Sequence, residues 1–269
     1  MIDGALPYLR CPVCGETLER AGDQGLRCPR GHSFDIARQG YVNLAAGRSP
    51  HSGDTAEMIG DREAFLAEGH YDFIAAALAE AVRPDDGLVL DAGTGTGHYL
   101  ARVLDALPDA PGLGIDVSKP ALRRAARAHP RAGAALADLW RPLPLEDACV
   151  SMLINVFAPR NGPEFRRVLH SDGLLLVVTP ARDHLAELVD AYGLIGVDPD
   201  KTARVTGALG GDFHEQGTTT LRHRMRLTAA ETRTLIGMTP SARHIPIKDI
   251  EASDITATAA VELTLYGPA

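Results

Sequence analysis

Three of the four cysteines lie close together near the amino terminus, next to a histidine. Cys11 and Cys14 are separated by two residues and Cys28 and His32 by three, with thirteen residues between the two pairs. Two such pairs, each on a tight turn, can occupy the corners of a tetrahedron, the geometry in which Zn²⁺ binds thiolate and imidazole ligands. The spacing therefore predicts a structural zinc site made of all four residues. A redox pair at Cys11 and Cys14, or a chance cluster, is the alternative.

A bound metal would explain how so short a segment folds, because a unit of about 40 residues buries too little apolar surface to be stable alone. Zinc modules of this kind bind nucleic acid, bind protein or support a neighbouring domain, so the cluster does not by itself indicate an activity. The fourth cysteine, Cys149, lies in an apolar stretch, 148–157. We expect it to be a buried apolar side chain rather than a nucleophile.

A second pattern with chemical meaning is a glycine-rich loop that directly follows an apolar stretch and reads Asp-Ala-Gly-Thr-Gly-Thr-Gly. Glycines at the carboxyl end of a buried strand let a ligand approach the backbone. Dinucleotide sites use a longer glycine spacing, which places a pyrophosphate at a helix amino terminus. Here the turn is shorter and begins with an acidic residue, which can meet an ammonium group directly or through water. The loop therefore favours S-adenosylmethionine (SAM), bound by Asp91 and by the glycines Gly93, Gly95 and Gly97.

Two further carboxylates support a SAM site. Asp116 ends the next predicted strand, where its oxygens can accept hydrogen bonds from both ribose hydroxyls. Asp138 ends the third predicted strand and can meet the adenine amino group, with a helix cap or turn residue as the alternative at that position. Packing alone does not require acidic residues at three successive strand ends, so the three together favour SAM.

Predicted strands and helices alternate along most of the chain. Apolar runs predict strands at 88–91, 112–116, 134–138, 150–155 and 174–179. The intervening segments predict helices at 73–82, from the glycine loop to 107, after Ser118, at 161–169 and at 182–192. Such alternation indicates a parallel sheet with helices on both faces.

The last third of the chain departs from this alternation. Polar and apolar residues alternate at 221–227 and 256–266, on either side of a predicted helix at 229–238, as is typical of an antiparallel edge pair. A sheet of seven strands with this ending resembles that of class I SAM-dependent methyltransferases. The expected fold class is therefore α/β, a Rossmann-like methyltransferase domain with a small amino-terminal zinc-ribbon domain.

Composition excludes several classes of protein. Of the 269 residues, 45% are hydrophobic and 23% charged, which is enough apolar content for a core and excludes general disorder. The longest aliphatic run, 174–178, is far shorter than the ~20 residues that cross a bilayer. The first residues have neither the basic patch nor the apolar core of a signal peptide. We therefore expect a cytoplasmic protein with no membrane partner.

The net charge and its distribution give opposite indications about binding to nucleic acid. The formal net charge of -8 argues against a nucleic-acid partner. One stretch, 221–248, is nevertheless basic and has a single acidic residue, Glu231; its cations are Arg222, Arg224, Arg226, Arg233, Arg243 and Lys248. A solvated face on an acidic protein is the alternative interpretation of this stretch.

Several less common motifs carry a resemblance to a known family. They are His32-Ser33-Phe34-Asp35, Gly40-Tyr41-Val42-Asn43-Leu44, Gly53-Asp54-Thr55-Ala56-Glu57-Met58, Phe65-Leu66, Gly69-His70-Tyr71, Phe157-Ala158-Pro159, Thr179-Pro180, His184-Leu185 and Met238-Thr239-Pro240. With these motifs, the cysteine cluster and the glycine loop, nearly the whole chain resembles the bacterial 23S rRNA (guanine-N1)-methyltransferases of the RlmA type. That family includes TlrB-like enzymes, which confer resistance to macrolides such as tylosin.

The resemblance implies a function and a set of site residues. It implies methyl transfer from SAM to N1 of a guanine in a 23S rRNA hairpin at the peptide exit tunnel, either as a housekeeping modification or as macrolide (antibiotic) resistance. It also implies that the cysteine cluster holds zinc, and that Tyr71, Gly95, Thr96 and His184 contact SAM. From the residues alone, core packing for Tyr71 and helix capping for His184 are the alternatives. The resemblance also implies a homodimer.

The chemistry at guanine N1 adds three expectations. N1 is a Watson–Crick edge atom, so the base must leave its stack. N1 must also be aligned with the methyl group and lose a proton. We expect Phe157 to stack on the guanine and Asn155 to read its edge, with Asp54 or Glu57 as the proton acceptor. The zinc module and the basic stretch would hold the RNA by its shape and phosphates.

The predicted domain boundaries follow from these motifs. A zinc-binding domain is expected at 1–47, a linker that carries a substrate-side motif at 48–70, and the methyltransferase domain at 71–269. Two other functions are compatible with the motifs. One is a small-molecule SAM-dependent methyltransferase with a structural zinc ribbon, and the other is a non-catalytic, SAM-sensing RNA-binding protein.

Overall fold

The computed structural model describes residues 2–45, 47, 53–83, 87–198, 200, 207–245 and 250–269. The first part of the predicted linker, 48–52, and Lys248 of the basic stretch lie outside the described residues. A small antiparallel sheet forms near the amino terminus from β1 (Glu19–Arg20), β2 (Gly25–Arg27) and β3 (Ser33–Asp35). The strands of a larger sheet follow: β4 (Val42–Asn43), β5 (Leu88–Ala92), β6 (Gly112–Asp116), β7 (Ala132–Leu136), β8 (Val150–Val156), β9 (Leu169–Pro180), β10 (Phe213–Leu227) and β11 (Ile255–Pro268).

Eight α-helices lie wholly within the described parts of the chain. They are α1 (Ile2–Ala5), α2 (Ala56–Ala67), α3 (Asp72–Glu80), α4 (His98–Ala106), α5 (Lys119–Ala128), α6 (Gly162–Val168), α7 (Ala186–Tyr192) and α8 (Ala229–Gly237). None of these helices combines the length and the hydropathy needed to cross a membrane.

The larger sheet confirms the predicted fold class. Within the described residues its strands are ordered β10-β11-β9-β8-β5-β6-β7-β4. Strands β4 to β9 run parallel, and β11 runs antiparallel to both β9 and β10. Seven of the strands form the predicted methyltransferase sheet with its antiparallel edge. The eighth, β4, was not predicted, since two residues are too few to show a sequence pattern.

Some element boundaries differ from prediction in ways that affect the site. β7 ends at Leu136, so Asp138 lies in the following loop rather than at the strand end. The predicted linker contains a helix of 12 residues, α2, capped by the Thr55 side chain, which accepts a hydrogen bond from the Met58 N–H. One face of α2 is buried, and it includes Ile59 and Phe65. The helix therefore packs as part of the domain.

The core consists of apolar layers on the two faces of the sheet. Consecutive residues of a strand point to opposite faces, so Leu88 and Leu90 of β5 pack in one layer and Val89 in the other. All three side chains are fully buried, and each contributes about 1.5–3 kcal/mol to folding. Because both faces of β5 are held in this way, the loop that follows the strand has a fixed starting point.

The amino-terminal segment shares one of these layers with the sheet. Val42 of β4 pairs with Ala135 of β7, and Leu9 forms a bridge with Leu145. The side chains of Leu9 and Val42 are fully buried in the same apolar cluster as Leu90. The segment that carries the cysteines is therefore joined to the sheet by backbone hydrogen bonds and by a common core.

Candidate active site and metal centre

The structure brings the four predicted metal ligands together. One ligand atom from each of Cys11, Cys14, Cys28 and His32 lies within 4.8 Å of all the others. Cys28 Sγ is 3.3 Å from His32 Nδ1 and 3.7 Å from Cys14 Sγ. Thiolate ligands at ~2.3 Å from a tetrahedral zinc ion are ~3.8 Å from one another. The donor set and its spacing thus fit zinc with no open position.

The backbone explains how the ligands converge. The Gly15 N–H donates to the Cys11 carbonyl, which folds the first pair into a turn, and the Gly31 N–H does the same to the Cys28 carbonyl. Cys149 lies apart from this cluster, half-buried, and burial raises the pKa of its thiol to about 11. Its thiol is therefore not activated, in agreement with the expectation that it is not a nucleophile.

A cavity of about 820 Å³ lies at the carboxyl ends of the central parallel strands. Eight of the predicted SAM and base contacts line it: Tyr71, Gly93, Gly95, Thr96, Asp116, Asp138, Phe157 and His184. Three predicted site residues, Asp91, Gly97 and Asn155, are not part of its wall. This volume is at the upper end of the range for small-molecule sites. It can therefore hold more than one ligand group.

Asp116 holds the glycine loop against the end of β6. One carboxylate oxygen accepts a hydrogen bond of 2.9 Å from the Gly95 N–H, and the other accepts one of 2.8 Å from the Ser118 N–H. Burial raises the pKa of Asp116, while these two N–H groups act in the opposite direction. Each oxygen retains acceptor capacity towards the cavity. The predicted contact with ribose hydroxyls is compatible with this arrangement and stays a prediction.

Asp91 lies beneath the loop rather than on the cavity wall. Its side chain is 1% exposed, and the Thr94 hydroxyl, which does line the cavity, donates a hydrogen bond of 2.7 Å to it. Burial raises the pKa of Asp91 to about 7. A direct contact between Asp91 and an ammonium group does not fit this position. The other predicted route, an interaction through water, stays a prediction.

Gly93 shows why the loop needs glycine. Its backbone has φ 85°, and a Cβ built on it would lie 2.3 Å from the Cβ of Ala158. The glycine loop therefore packs directly against the loop after β8, which carries Phe157. This close approach brings two predicted contact groups to one wall of the cavity.

Asp138 and Trp140 form another wall. Asp138 accepts a hydrogen bond of 3.0 Å from the Trp140 N–H, and both side chains line the cavity. The Trp140 side chain is 53% exposed, which is unusual for so large an apolar group. Sequence reasoning missed Trp140, although it is the single tryptophan of the chain and follows Asp138 by two positions.

Three aromatic rings face one another across the carboxyl end of β8. The ring centroids of Tyr71 and Phe157 are 6.3 Å apart, and those of Phe157 and His184 are 5.9 Å apart. Phe157 has φ 53° and Leu185, which follows His184, has φ 56°. Positive φ in non-glycine residues costs of order 1–3 kcal/mol and persists only where surrounding contacts enforce it. These two strained positions orient the rings into the cavity.

His184 makes two polar contacts. Its Nδ1 is 2.9 Å from the carbonyl oxygen of Ala260 in β11, and its Nε2 is 3.4 Å from the Tyr71 hydroxyl. Burial lowers the pKa of His184, which favours the neutral imidazole. Burial also raises the pKa of Tyr71 far above its ordinary value, so that hydroxyl keeps its proton.

Asn155 does not reach the cavity, so its predicted contact with a base edge does not fit. Its side chain is completely buried, and its amide N–H groups donate to the carbonyls of Ala92 and Pro159 at 2.9 and 3.0 Å. These bonds join the end of β5 to the loop that carries Phe157. The placement assigns Asn155 to positioning of that loop.

The two acidic residues expected to accept the N1 proton are also poorly placed. Asp54 lines the cavity, but one of its oxygens is 2.7 Å from Arg62 and the other 3.1 Å from Arg243. Glu57 is exposed on α2 and does not line the cavity, and hydrogen bonds from its own backbone and from Thr55 lower its pKa. If Asp54 accepted a proton, it would lose an ion pair with an arginine. Glu57 is too acidic to accept the proton and lies too far from the cavity.

The Asp54 ion pairs join the linker to the rest of the site. A second nitrogen of Arg62 donates to the Met238 carbonyl at 3.2 Å, and the Ser118 hydroxyl donates to the Asp54 carbonyl at 2.8 Å. The side chains of Arg62, Arg243 and Met238 contribute to the cavity wall. Helix α2 and the segment after α8 therefore close the cavity together. Sequence reasoning singled out the motif that contains Asp54 but not Arg62.

Comparison with known proteins assigns both parts of the chain. Residues 9–52 match the family model described as the RlmA amino-terminal zinc ribbon, and residues 89–173 match a methyltransferase domain. A methyltransferase of Haloferax volcanii, solved in complex with its Trm112 activator, superposes with a TM-score of 0.54 over 81% of this chain and 99% of that chain. At 15% sequence identity this likeness shows the fold alone.

Curated relatives match over almost the full length. A protein of Streptomyces fradiae named 23S rRNA (guanine(748)-N(1))-methyltransferase is 50% identical, and the match covers 88% of this chain and 86% of the relative. A Micromonospora griseorubida protein, also named for methylation of 23S rRNA at guanine N1, is 59% identical over 98% of both chains. The chain belongs to the 23S rRNA (guanine-N1)-methyltransferase family.

Membership of the 23S rRNA (guanine-N1)-methyltransferase family confirms several of the predictions. The protein is an enzyme, a SAM-dependent methyltransferase with a zinc ribbon, and its Cys and His cluster has the donors that zinc requires. A more distant relative from Bacillus subtilis, YxjB, is 32% identical over 92% of this chain and carries the same activity in its name. The comparisons do not favour the small-molecule methyltransferase or the non-catalytic SAM sensor.

Proposed function

We propose that this enzyme transfers a methyl group from SAM to N1 of a guanine in 23S rRNA. The observation that carries the proposal is a single cavity in which the glycine loop and an aromatic wall of Tyr71, Phe157 and His184 face the same space. The relatives that match the whole chain are named for this base and this atom.

The cofactor would lie along the carboxyl edge of the sheet. Gly95 and Thr96 would contact the amino-acid part of the cofactor. The guanidinium of Arg62 lies next to Gly95, since a Cβ built on Gly95 would be 3.5 Å from it. Asp116 would accept the ribose hydroxyls, and Asp138 would meet the adenine beside Trp140. When bound, SAM supplies an electrophilic methyl group on a positively charged sulfur. The aromatic wall then faces the space beside that methyl group.

The base would enter from the side of Phe157. This ring is 41% exposed, so it can stack on a guanine without a prior rearrangement. Extrusion of the base from its stack costs a few kcal/mol, and a stacking platform offsets part of that cost. Much of catalysis would then be alignment, because reactants held in line gain the rate advantage of an intramolecular reaction.

Two basic regions would hold the RNA. Arg27, Arg30 and Arg38 are exposed on the ribbon, and Arg224 and Arg226 are exposed on β10. Contacts with phosphates from these side chains would fix the RNA without reading its sequence. Binding should therefore weaken steeply as salt is added, although the net charge of the protein is negative.

We infer that the RNA target is a hairpin at the peptide exit tunnel. Position 748, named for the Streptomyces fradiae relative, is the first guanine to test. If methylation at this hairpin protects the ribosome, cells that express the enzyme should tolerate higher macrolide concentrations. Growth assays with tylosin would separate a resistance role from a housekeeping one.

A homodimer is the proposed assembly. Among the described residues β10 is an edge strand of 15 residues paired with β11 alone, and an open edge of this length can accept another strand. Light scattering of the purified enzyme would give the mass of a dimer. A monomeric mass at micromolar concentration would overturn this assembly.

The proposed reaction is tested directly by product analysis. Purified enzyme is incubated with tritiated SAM and with ribosomal RNA from cells that lack the corresponding gene, and the digested RNA is separated into nucleosides. The expected product is 1-methylguanosine. Label in another nucleoside would contradict the assignment to N1, and label in a small molecule rather than RNA would favour the alternative class of methyltransferase.

A further inference from the structure

The hydrogen bonds of His184 determine which ring nitrogen has a free electron pair. The Ala260 carbonyl can only accept a hydrogen bond, so Nδ1 at 2.9 Å must carry the ring proton. In the neutral imidazole the other nitrogen, Nε2, then has an unshared electron pair. That electron pair is directed towards the Tyr71 hydroxyl at 3.4 Å, on the aromatic wall of the cavity.

The surroundings keep His184 neutral and fixed. Charged and titratable groups on the elements around it include Tyr71, Arg182, Asp183, Glu187, Arg222, Arg224 and Glu262. Asp183 is ion-paired with Arg222, and the Glu187 carboxylate accepts two hydrogen bonds from Thr258. The Ala260 carbonyl also accepts the Ala181 N–H at 2.9 Å, so the turn that carries His184 is tied to β11 by its backbone as well. The imidazole cannot rotate without losing these contacts.

The other candidate proton acceptors on the described part of the cavity wall have partners or proposed ligand groups of their own. Both oxygens of Asp54 are paired with arginines, and both oxygens of Asp116 accept backbone N–H groups. Asp138 and Asp198 each accept a backbone N–H within their own turn. His98 lies on the side of the glycine loop, beside an acidic residue of α3. Among the described residues of the cavity wall, His184 combines a directed electron pair with a place beside Phe157.

We propose that His184 is the general base of the methyl transfer, an inference that rests on the proposed function above. Nε2 accepts the proton of guanine N1, in place of the hydrogen bond with Tyr71. The electron pair left on N1 forms the bond to the methyl carbon, and the bond between that carbon and sulfur breaks with its electrons on sulfur. The imidazolium that results gives its proton to water when the products leave. His184 is thereby a catalytic residue and not only a cofactor contact.

Two substitutions test the roles of the two ring nitrogens separately. In His184→Asn the amide nitrogen replaces Nδ1 and can still donate to Ala260, but nothing replaces the electron pair of Nε2. In His184→Gln the amide lies near the position of Nε2 and can accept a hydrogen bond but not a proton. We expect both variants to lose a factor of about 10²–10⁴ in the rate of a single turnover at saturating SAM. The exposed His170, changed to Asn, is the matched control and should keep the rate.

The pH profile distinguishes catalysis from a structural or cofactor-binding role. The wild-type rate should fall as the pH drops through the pKa of His184, because the protonated ring cannot accept a proton. The rates of both variants should lack this fall. Above the pKa of guanine N1 the guanine is already deprotonated, so the difference in rate between the variants and the wild type should become smaller. Calorimetry gives the SAM affinity of each variant, so weaker cofactor binding is separated from loss of the base.

Specific results would overturn the assignment to His184. A deficit of equal size at every pH, or one explained by weaker SAM binding, would give His184 a positioning role. A normal rate in either variant would remove it from catalysis. If the wild-type enzyme itself forms no 1-methylguanosine, the proposed function fails instead, so the two failures are distinguishable. Circular dichroism shows whether each variant folds. If His184→Asn does not fold, the His184→Gln variant provides the test.

Discussion

Asp91 and Thr94 form a buried pair beneath the glycine loop, and this pair shows how one residue can affect cofactor binding without touching the cofactor. The Asp91 carboxylate is 1% exposed and accepts a hydrogen bond from the Thr94 hydroxyl. Burial without a cation raises the pKa of Asp91 to about 7. A positively charged ligand above the loop would favour the ionised carboxylate. The affinity for such a ligand should therefore depend on pH.

SAM affinity is expected to increase as the pH rises through about 7. At lower pH the free protein binds a proton at Asp91 that the complex must release, so affinity should fall by up to about tenfold per pH unit. Isothermal titration calorimetry across this range checks the slope. In Asp91→Asn the slope should flatten, whereas the exposed Asp109→Asn should leave it unchanged. An identical slope in wild type and Asp91→Asn would contradict this role.

Gly93→Ala should both destabilise the protein and weaken SAM binding. The new Cβ would lie 2.3 Å from that of Ala158, on a backbone with φ 85°, so one of the two loops must move. The expected cost is about 2–3 kcal/mol of unfolding free energy, measured by urea denaturation. Gly60→Ala is the control, because Gly60 lies inside α2 with open space around it and should gain about 0.5–1 kcal/mol. Equal stability of Gly93→Ala and wild type would refute the close packing.

At the scale of elements, helix α2 is the part of the site that sequence patterns least revealed. The motif around Asp54 was noticed, but its arginine partners are distant in sequence. Arg62 lies eight positions after Asp54, and Arg243 follows it by 189 positions. Their contacts exist only once α2 has packed against α5 and α8. A sequence read alone cannot show such a long-range ion pair.

Arg62→Met should weaken SAM binding more than it reduces stability. Partly exposed ion pairs contribute about 0–1 kcal/mol to folding, but Arg62 also forms part of the cavity wall and holds the Met238 carbonyl. Arg124→Met provides a matched control, since Arg124 pairs at 2.8 Å with Glu63 on the same helix but does not line the cavity. Calorimetry should show an affinity loss of about tenfold for Arg62→Met alone. Equal effects of both substitutions would mean that Arg62 acts only as a helix contact.

The predictable and unpredictable parts of the fold differ in their physical origin. Buried strands such as β5 and β6 show as apolar runs, and the glycine loop between them has a local sequence pattern, so both were predicted. The boundary of β7 was wrong because Ala137 continues the apolar run up to Asp138, although the strand already ends at Leu136. Asn155 was misplaced because its position at the end of the fourth predicted strand suggested a place at the cavity, whereas its buried amide donates to two backbone carbonyls.

On the scale of the whole molecule, the zinc ribbon and the sheet form one structure. β4 extends the sheet beyond β7, and the buried side chains of the ribbon, including Leu26, belong to the same apolar cluster as Leu90 of β5. A disturbance of the metal site should therefore spread into the methyltransferase sheet. The division into domains at residue 47 remains a prediction about sequence modules rather than about independent folding.

Removal of zinc should lower the thermal stability of the entire enzyme. Without metal the ribbon loses the bonds that fold it, and the loss of several kcal/mol corresponds to a fall of about 10 °C in Tm. Differential scanning calorimetry of Cys28→Ser, or of the enzyme treated with a chelator, should show one transition at the lower temperature. Cys149→Ser is the control and should leave zinc content unchanged. A separate early transition with an unchanged main Tm would show that the ribbon is an independent unit.

The central claim is that one cavity joins a SAM site to a guanine of 23S rRNA. Primer extension on 23S rRNA treated with the purified enzyme and SAM tests it most directly, because a methyl group on N1 blocks Watson–Crick pairing and stops reverse transcription. The predicted result is a single new stop at one guanine of the exit-tunnel hairpin, absent when SAM is omitted. An unchanged extension pattern, or a stop at a base other than guanine, would contradict it.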